Sequence, residues 1–237
     1  MELKRVPLTG EQFNEMLAAY PKYHYPKEFK DLLFVVGDVR LADGLHMIPE
    51  NVVFDGNLDA SHTQFSGFNH VVNGDANFNG CKSLMVFSAS ARFNGSVDAR
   101  GTDLTVFDEK VAGSLLLSNC DKMEIIGKNA VVGGNLDVSH SRKLKWFRGT
   151  VHGDADFSGC FRLTQIDPAS KVGGRVKLDG TKITQTAFHK LPMVAAQPAE
   201  PLSERMPKGP SYLDALKGAG VILPPPPAPE RTPDRVY

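Results

Sequence analysis

The chain has 237 residues, with 27 basic side chains balanced by 27 acidic ones and 41% hydrophobic residues. That length supports one substantial domain with its own core, and the lack of a basic excess argues against a nucleic-acid binder. No apolar run approaches the roughly 20 residues of a membrane span, no apolar stretch follows the charged start at Glu2, Lys4 and Arg5 to make a signal peptide, and three cysteines are too few for a disulfide framework.

Residues 1–36 read as an N-terminal cap. Thr9-Gly10-Glu11-Gln12 has the form of a capping box, with Thr9 as N-cap and Gln12 reaching back. Phe13, Met16, Leu17 and Tyr20 follow at i, i+3, i+4 and i+7. This spacing predicts an amphipathic helix over residues 10–20, ended by Pro21. Its apolar face either closes the end of the following domain or meets a partner. Tyr20, Tyr23 and Tyr25 then hold three of the chain's five tyrosines. Tyrosine is favoured at interface hot spots, so these three are candidate partner-binding residues.

Residues 37–189 are a repeat. Copies begin at Gly56, Gly74, Gly95, Gly113, Gly134, Gly153 and Gly174, spaced 18, 21, 18, 21, 19 and 21 residues apart, and a diverged copy starts at Gly37. Two residues after each glycine stands Leu58, Ala76, Val97, Leu115, Leu136, Ala155 or Val176; two further on stands Ala60, Phe78, Ala99, Leu117, Val138, Phe157 or Leu178. A period of two predicts a short strand with one buried face. An apolar pair follows in most copies: Val86-Phe87, Val106-Phe107, Ile125-Ile126 and Trp146-Phe147. No copy holds a helical pattern of useful length. The expected fold is all-β, a single-stranded β-solenoid of about seven coils of 18–21 residues. Coils stacked at about 4.8 Å make a rod about 34 Å long. One coil cannot bury its own apolar face, so only the stack is stable and its ends need caps.

Ala76-Asn77-Phe78-Asn79-Gly80, Ala91-Arg92-Phe93-Asn94-Gly95 and Ala155-Asp156-Phe157-Ser158-Gly159 resemble the A-(D/N)-(L/F)-x-x unit of pentapeptide-repeat proteins. Taken whole, G-x-L-D-x-S-x-C-x-x-L-x-x-h is similar to the roughly 20-residue leucine-rich-like repeats of bacterial and bacteriophage proteins. The resemblance covers about residues 53–186. It implies a solenoid with a binding or structural role and transfers no catalytic motif. The acidic, DNA-mimicking surface of some pentapeptide-repeat proteins does not fit a chain of zero net charge.

Three sets of side chains in the repeat look chemical. Cys81, Cys120 and Cys160 each lie seven residues after a repeat glycine, where other copies have Thr63, Thr102, Ser141 and Thr181. They read as buried thiols in a ladder of small residues at one corner. His62 and His140 share a position with Gly80, Gly101, Asn119, Gly159 and Gly180, the set that tolerates positive φ, and read as turn residues. The other histidines show no metal-ligand spacing, so no metal site and no cofactor are expected. Asp59, Asp98, Asp137 and Asp156 fall three residues after a glycine, at outward positions, with Asn77, Leu116 and Lys177 interrupting them. Stacked, they form an acidic stripe that reads as a partner-binding surface. Arg142, Lys143, Lys145, Arg148 and Arg162 gather elsewhere, which gives the rod an acidic and a basic side and favours a shaped protein partner.

Residues 190–237 hold eleven of the sixteen prolines, and an extended tail with no compact fold is expected there, apart from one short helix with Ser211 as N-cap and Gly218 as stop. Val221-Ile222-Leu223 followed by Pro224-Pro225 reads as an apolar anchor beside a polyproline II segment, a further candidate partner contact. No nucleophile elbow, Walker loop or dinucleotide fingerprint is present. The expectation is therefore a non-enzymatic structural or protein-binding solenoid that meets a protein partner or neighbouring subunit, with no nucleic acid or membrane contact. It would be cytoplasmic, or part of a virion if encoded by a bacteriophage, and anchored in an assembly by its tail. A soluble effector or inhibitor that grips a host protein with the solenoid face is the alternative. A carbohydrate-active β-helix enzyme fits less well with 8% aromatic residues and one tryptophan.

Overall fold

The computed structural model describes residues 5–19 and 32–183. The repeat forms a parallel β-solenoid. Most coils contribute short strands, usually of two residues, to three faces, and the strands of one face pair in parallel from coil to coil. The first face lies just before the repeat glycine and is a nine-stranded sheet; the second, just after it, has eight strands. The third face is split into a two-stranded sheet, Gly67–Phe68 with Val86–Phe87, and a four-stranded one from Val106–Phe107 to Gln165–Ile166.

The second face has eight rungs because the diverged copy at Gly37 is a true coil: Val39–Arg40 pairs with Leu58–Asp59 in the common register. The alternation of 18 and 21 residues also has a structural cause. The longer coils insert a turn after the third face, closed by Ala91 N–H to Ser88 O, Ala130 N–H to Gly127 O and Ser170 N–H to Asp167 O. Ala91, Ala130 and Ser170 fill that corner and are buried. Both inward positions of the second face are buried from Leu58 and Ala60 to Ala155 and Phe157, while Val176 and Leu178 in the last coil are only partly covered. Phe54, Phe68, Phe78, Phe87 and Phe93 fill the N-terminal half of the core, and Phe147 meets Phe157 edge-on at 5.0 Å further along.

The N-terminal end is closed by two elements. The capping box forms: Thr9 N–H donates to Gln12 Oε1 at 2.9 Å, and Gln12 N–H to Thr9 Oγ1 at 3.2 Å. The helix α1 runs Gly10–Ala19. Phe13 and Leu17 are buried, Met16 packs beside them, and Phe13 meets Phe54 edge-on at 5.7 Å. The helix face thus seals the first coils. Sequence reasoning missed the strand β1, Arg5–Thr9, which pairs with β2, Leu32–Val36, and adds an outermost rung to the first face. Pro7 stands in this edge strand, where its missing N–H costs least and blunts the open ladder.

Candidate functional site

Three polar ladders run along the second face and its corners, and their geometry shows what the chemical-looking residues do. The first starts at the repeat glycines. A Cβ on Gly74 would lie 2.6 Å from the Gly56 carbonyl carbon, and one on Gly113 would lie 2.8 Å from that of Gly95. Glycine is therefore required by the close approach of neighbouring coils, and the left-handed region is not involved at these positions.

The residue after each glycine makes a ladder that sequence reasoning did not see. Asp38 accepts from Asn57 N–H at 2.9 Å, Asn57 from Asp75 N–H at 2.8 Å and Asp75 from Ser96 N–H at 2.7 Å. Ser96, Ser114, Asn135 and Asp154 continue it as far as Arg175 N–H. Each coil's side chain thus caps the backbone of the next. The signal was present in the sequence as Asn, Asp or Ser after the glycine in every copy but the last.

The acidic stripe exists as a register row: Asp59, Asn77, Asp98, Leu116, Asp137 and Asp156 pair rung to rung, ending at Lys177. These side chains point out but are half-buried. Each carboxylate accepts from the backbone N–H two residues on: Ser61, Arg100, Ser139 and Ser158, at 2.9–3.2 Å. That is an Asx turn, repeated. Arg40, Arg100 and Lys177 pair with Asp59, Asp98 and Asp156. Burial pushes Asp156 up, but its bonds from Ser158 and Lys177 outweigh this and hold it below the ordinary carboxylate range.

At the next corner, His62, Asn119 and His140 have φ near +60°, as do the equivalent glycines. One residue further, Cys81, Cys120 and Cys160 are free and buried. Their thiols donate to Ala60, Ala99 and Val138 carbonyls at 2.9–3.2 Å. Burial raises all three pKa values, Cys160 to about 12. They do not have the character of reactive thiols.

The third face carries what the ladders leave over. Val86, Val106, Ile125 and Trp146 are the outward members of their pairs, with Val86 50% and Trp146 39% exposed. Sequence reasoning marked the pairs as apolar and did not separate the outward partner. Arg148 lies over the Trp146 ring, 5.4 Å from its centre. A groove of about 530 Å³ beside it is lined by Trp146, Arg148, Gln165, Ile166, Pro168 and Ile183. The basic cluster also proves to be a level along the stack, with the acids of residues 103–109 two coils away on the same face, so on this face the two clusters sit at different levels.

Tyr20, Tyr23, Tyr25, Val221, Ile222, Leu223, Pro224 and Pro225 lie outside the described residues. Among the described residues no three His, Cys, Asp or Glu side chains converge as metal ligands, and no helix is long and apolar enough to cross a membrane. No protein-family model, curated protein or solved structure matches the chain.

Proposed function

We propose that this protein is a non-enzymatic scaffold that binds other proteins, a component of a bacterial or bacteriophage assembly. The observation that carries this reading is the third face. The polar side chains of the second face are committed to turns and ladders, whereas the third face presents the apolar Val86, Val106, Ile125 and Trp146 on rigid two-residue rungs, beside Arg142 and Lys143, which make no ion pair among the described residues. Exposed apolar surface of this kind marks contact sites. The Pro-rich segment after Lys190, with Val221-Ile222-Leu223 beside Pro224-Pro225, serves as the anchor to a neighbour.

A pull-down read by mass spectrometry tests this with three baits: the full chain, a chain ending at Lys190 and full-length Trp146→Asp. The expected result is a stoichiometric protein partner held by the full chain and lost or weakened in one of the other two. A full chain that retains no protein overturns the reading.

A further inference from the structure

The third face is not only apolar; its charge is arranged symmetrically. Residues 103–109 carry Asp103, Asp108 and Glu109 and no base. Residues 142–148 carry Arg142, Lys143, Lys145 and Arg148 and no acid. Between them runs the rung of Ile125, paired with Val106 on one side and Trp146 on the other. The acidic and basic levels thus lie one rung, about 4.8 Å, on either side of Ile125. Such a surface is complementary to itself once a second copy is turned over.

We propose that this face is an isologous interface between two antiparallel copies of the chain, related by a twofold axis at the level of Ile125. This rests on the reading of the third face as a binding surface and names its partner. A twofold axis lying in the interface, perpendicular to the stack, exchanges the levels of residues 103–109 and 142–148. It leaves each residue's place around the coil unchanged. Asp103 therefore meets the Arg142–Lys143 pair of the second copy, Asp108 meets Arg148, which Asp167 also holds within the chain, Val106 packs on Trp146, and Ile125 faces itself. Parallel copies would set the basic level against itself.

The local pairing favours this arrangement. Arg142 and Lys143 make no ion pair among the described residues. Asp103 binds Lys122 at 2.6 Å within the chain and gains a second base from the other copy. Asp121 and Glu124 lie at the axis and face their own equivalents. Glu124 is held by Lys145 at 2.9 Å, and Asp121 is flanked by Lys122 and by the incoming Arg142. The central apolar contact is Val106, Ile125 and Trp146 from both copies, the aromatic anchor and neutral centre that interfaces favour.

The contact spans few rungs, and interfaces below roughly 1,200 Å² are weak, so association is measured on the purified chain alone up to about 100 µM by sedimentation. The expected result is a monomer–dimer equilibrium. Asp103→Lys and Arg142→Glu each weaken it about tenfold, and the double variant restores it. In parallel, Ile125→Cys treated with a short bis-maleimide gives a covalent dimer, while Leu116→Cys on the second face does not. The native thiols are buried and stay silent. A wild-type chain that remains monomeric, a dimer that Ile125→Cys does not cross-link, or a charge swap that fails to restore association each overturns the proposal. A monomer that still yields a Trp146-dependent partner in the pull-down removes the homodimer and leaves the binding function standing.

Discussion

His70 is a polar side chain that is costly to bury in the core. It is 5% exposed, its Nδ1 has no hydrogen-bond partner among the described residues, and the rings of Phe68 and Phe54 stand edge-on at 5.0 and 6.4 Å. Burial lowers its pKa from 6.5 to about 4, against the pull of hydrogen bonds to the Glu50 and Val52 backbone. Below pH 6.5 the unfolded chain takes up a proton that the folded chain refuses. Stability therefore falls with pH by about 1.4 kcal/mol per unit and levels off once the folded His70 protonates near pH 4. At pH 4.5 the loss from this one group is about 2.5 kcal/mol. Urea unfolding followed by circular dichroism at pH 7.5 and 4.5 isolates it when wild type and His70→Phe are compared, because the carboxylates titrate in both. The wild type is expected to lose about 2.5 kcal/mol more than the variant over that interval. Equal losses in the two proteins would show that His70 is not sealed in the core and would refute the reasoning.

Four further predictions concern the ladders and the corners. Phe157→Asp places an unpaired charge in a fully buried site and abolishes the cooperative melt, whereas Asp156→Ala, which removes the Ser158 turn bond and the Lys177 pair, lowers stability by about 1 kcal/mol. Gly134→Ala is expected to destabilise by about 1–3 kcal/mol because its Cβ meets the Ser114 side chain and the preceding coil's backbone. Gly101→Asn should be nearly neutral in the same melts, since the site is open and Asn119 fills its equivalent in the next coil. Ellman's reagent at pH 8 should find no reactive thiol in the native chain and all three in denaturant, as three fully buried cysteines require.

Much of the fold was legible because it is local. Glycine spacing and the period of two fixed the coil, and the capping box fixed the start of α1. The mixed set of Gly, Asn and His gave the left-handed corner, later seen at His62, Asn119 and His140. What stayed hidden depends on contacts between coils. Arg5–Thr9 has no pattern of its own and is a strand only because β2 offers it an edge. The acceptor row from Asp38 to Asp154 bonds to residues 18–21 positions away, so no pattern within a single copy marks its Asn, Asp and Ser. The aspartates were read as a surface stripe, whereas each also closes its own turn. That an acidic and a basic level flank Ile125 appeared only when residues 103–109 and 142–148 were placed on one face.

The central claim is the stack itself, and a molecular ruler tests it most directly. Val53, Arg92 and Lys171 are outward members of the first face, joined rung by rung through Val71, Lys110, Val131 and Thr150. Spin labels at Arg92 and Lys171 span four rungs and those at Val53 and Lys171 six, about 19 and 29 Å at the strand spacing. Pulsed dipolar measurements should give two narrow distributions separated by about 10 Å. Broad distributions, or a separation that does not follow the number of rungs, would contradict the solenoid.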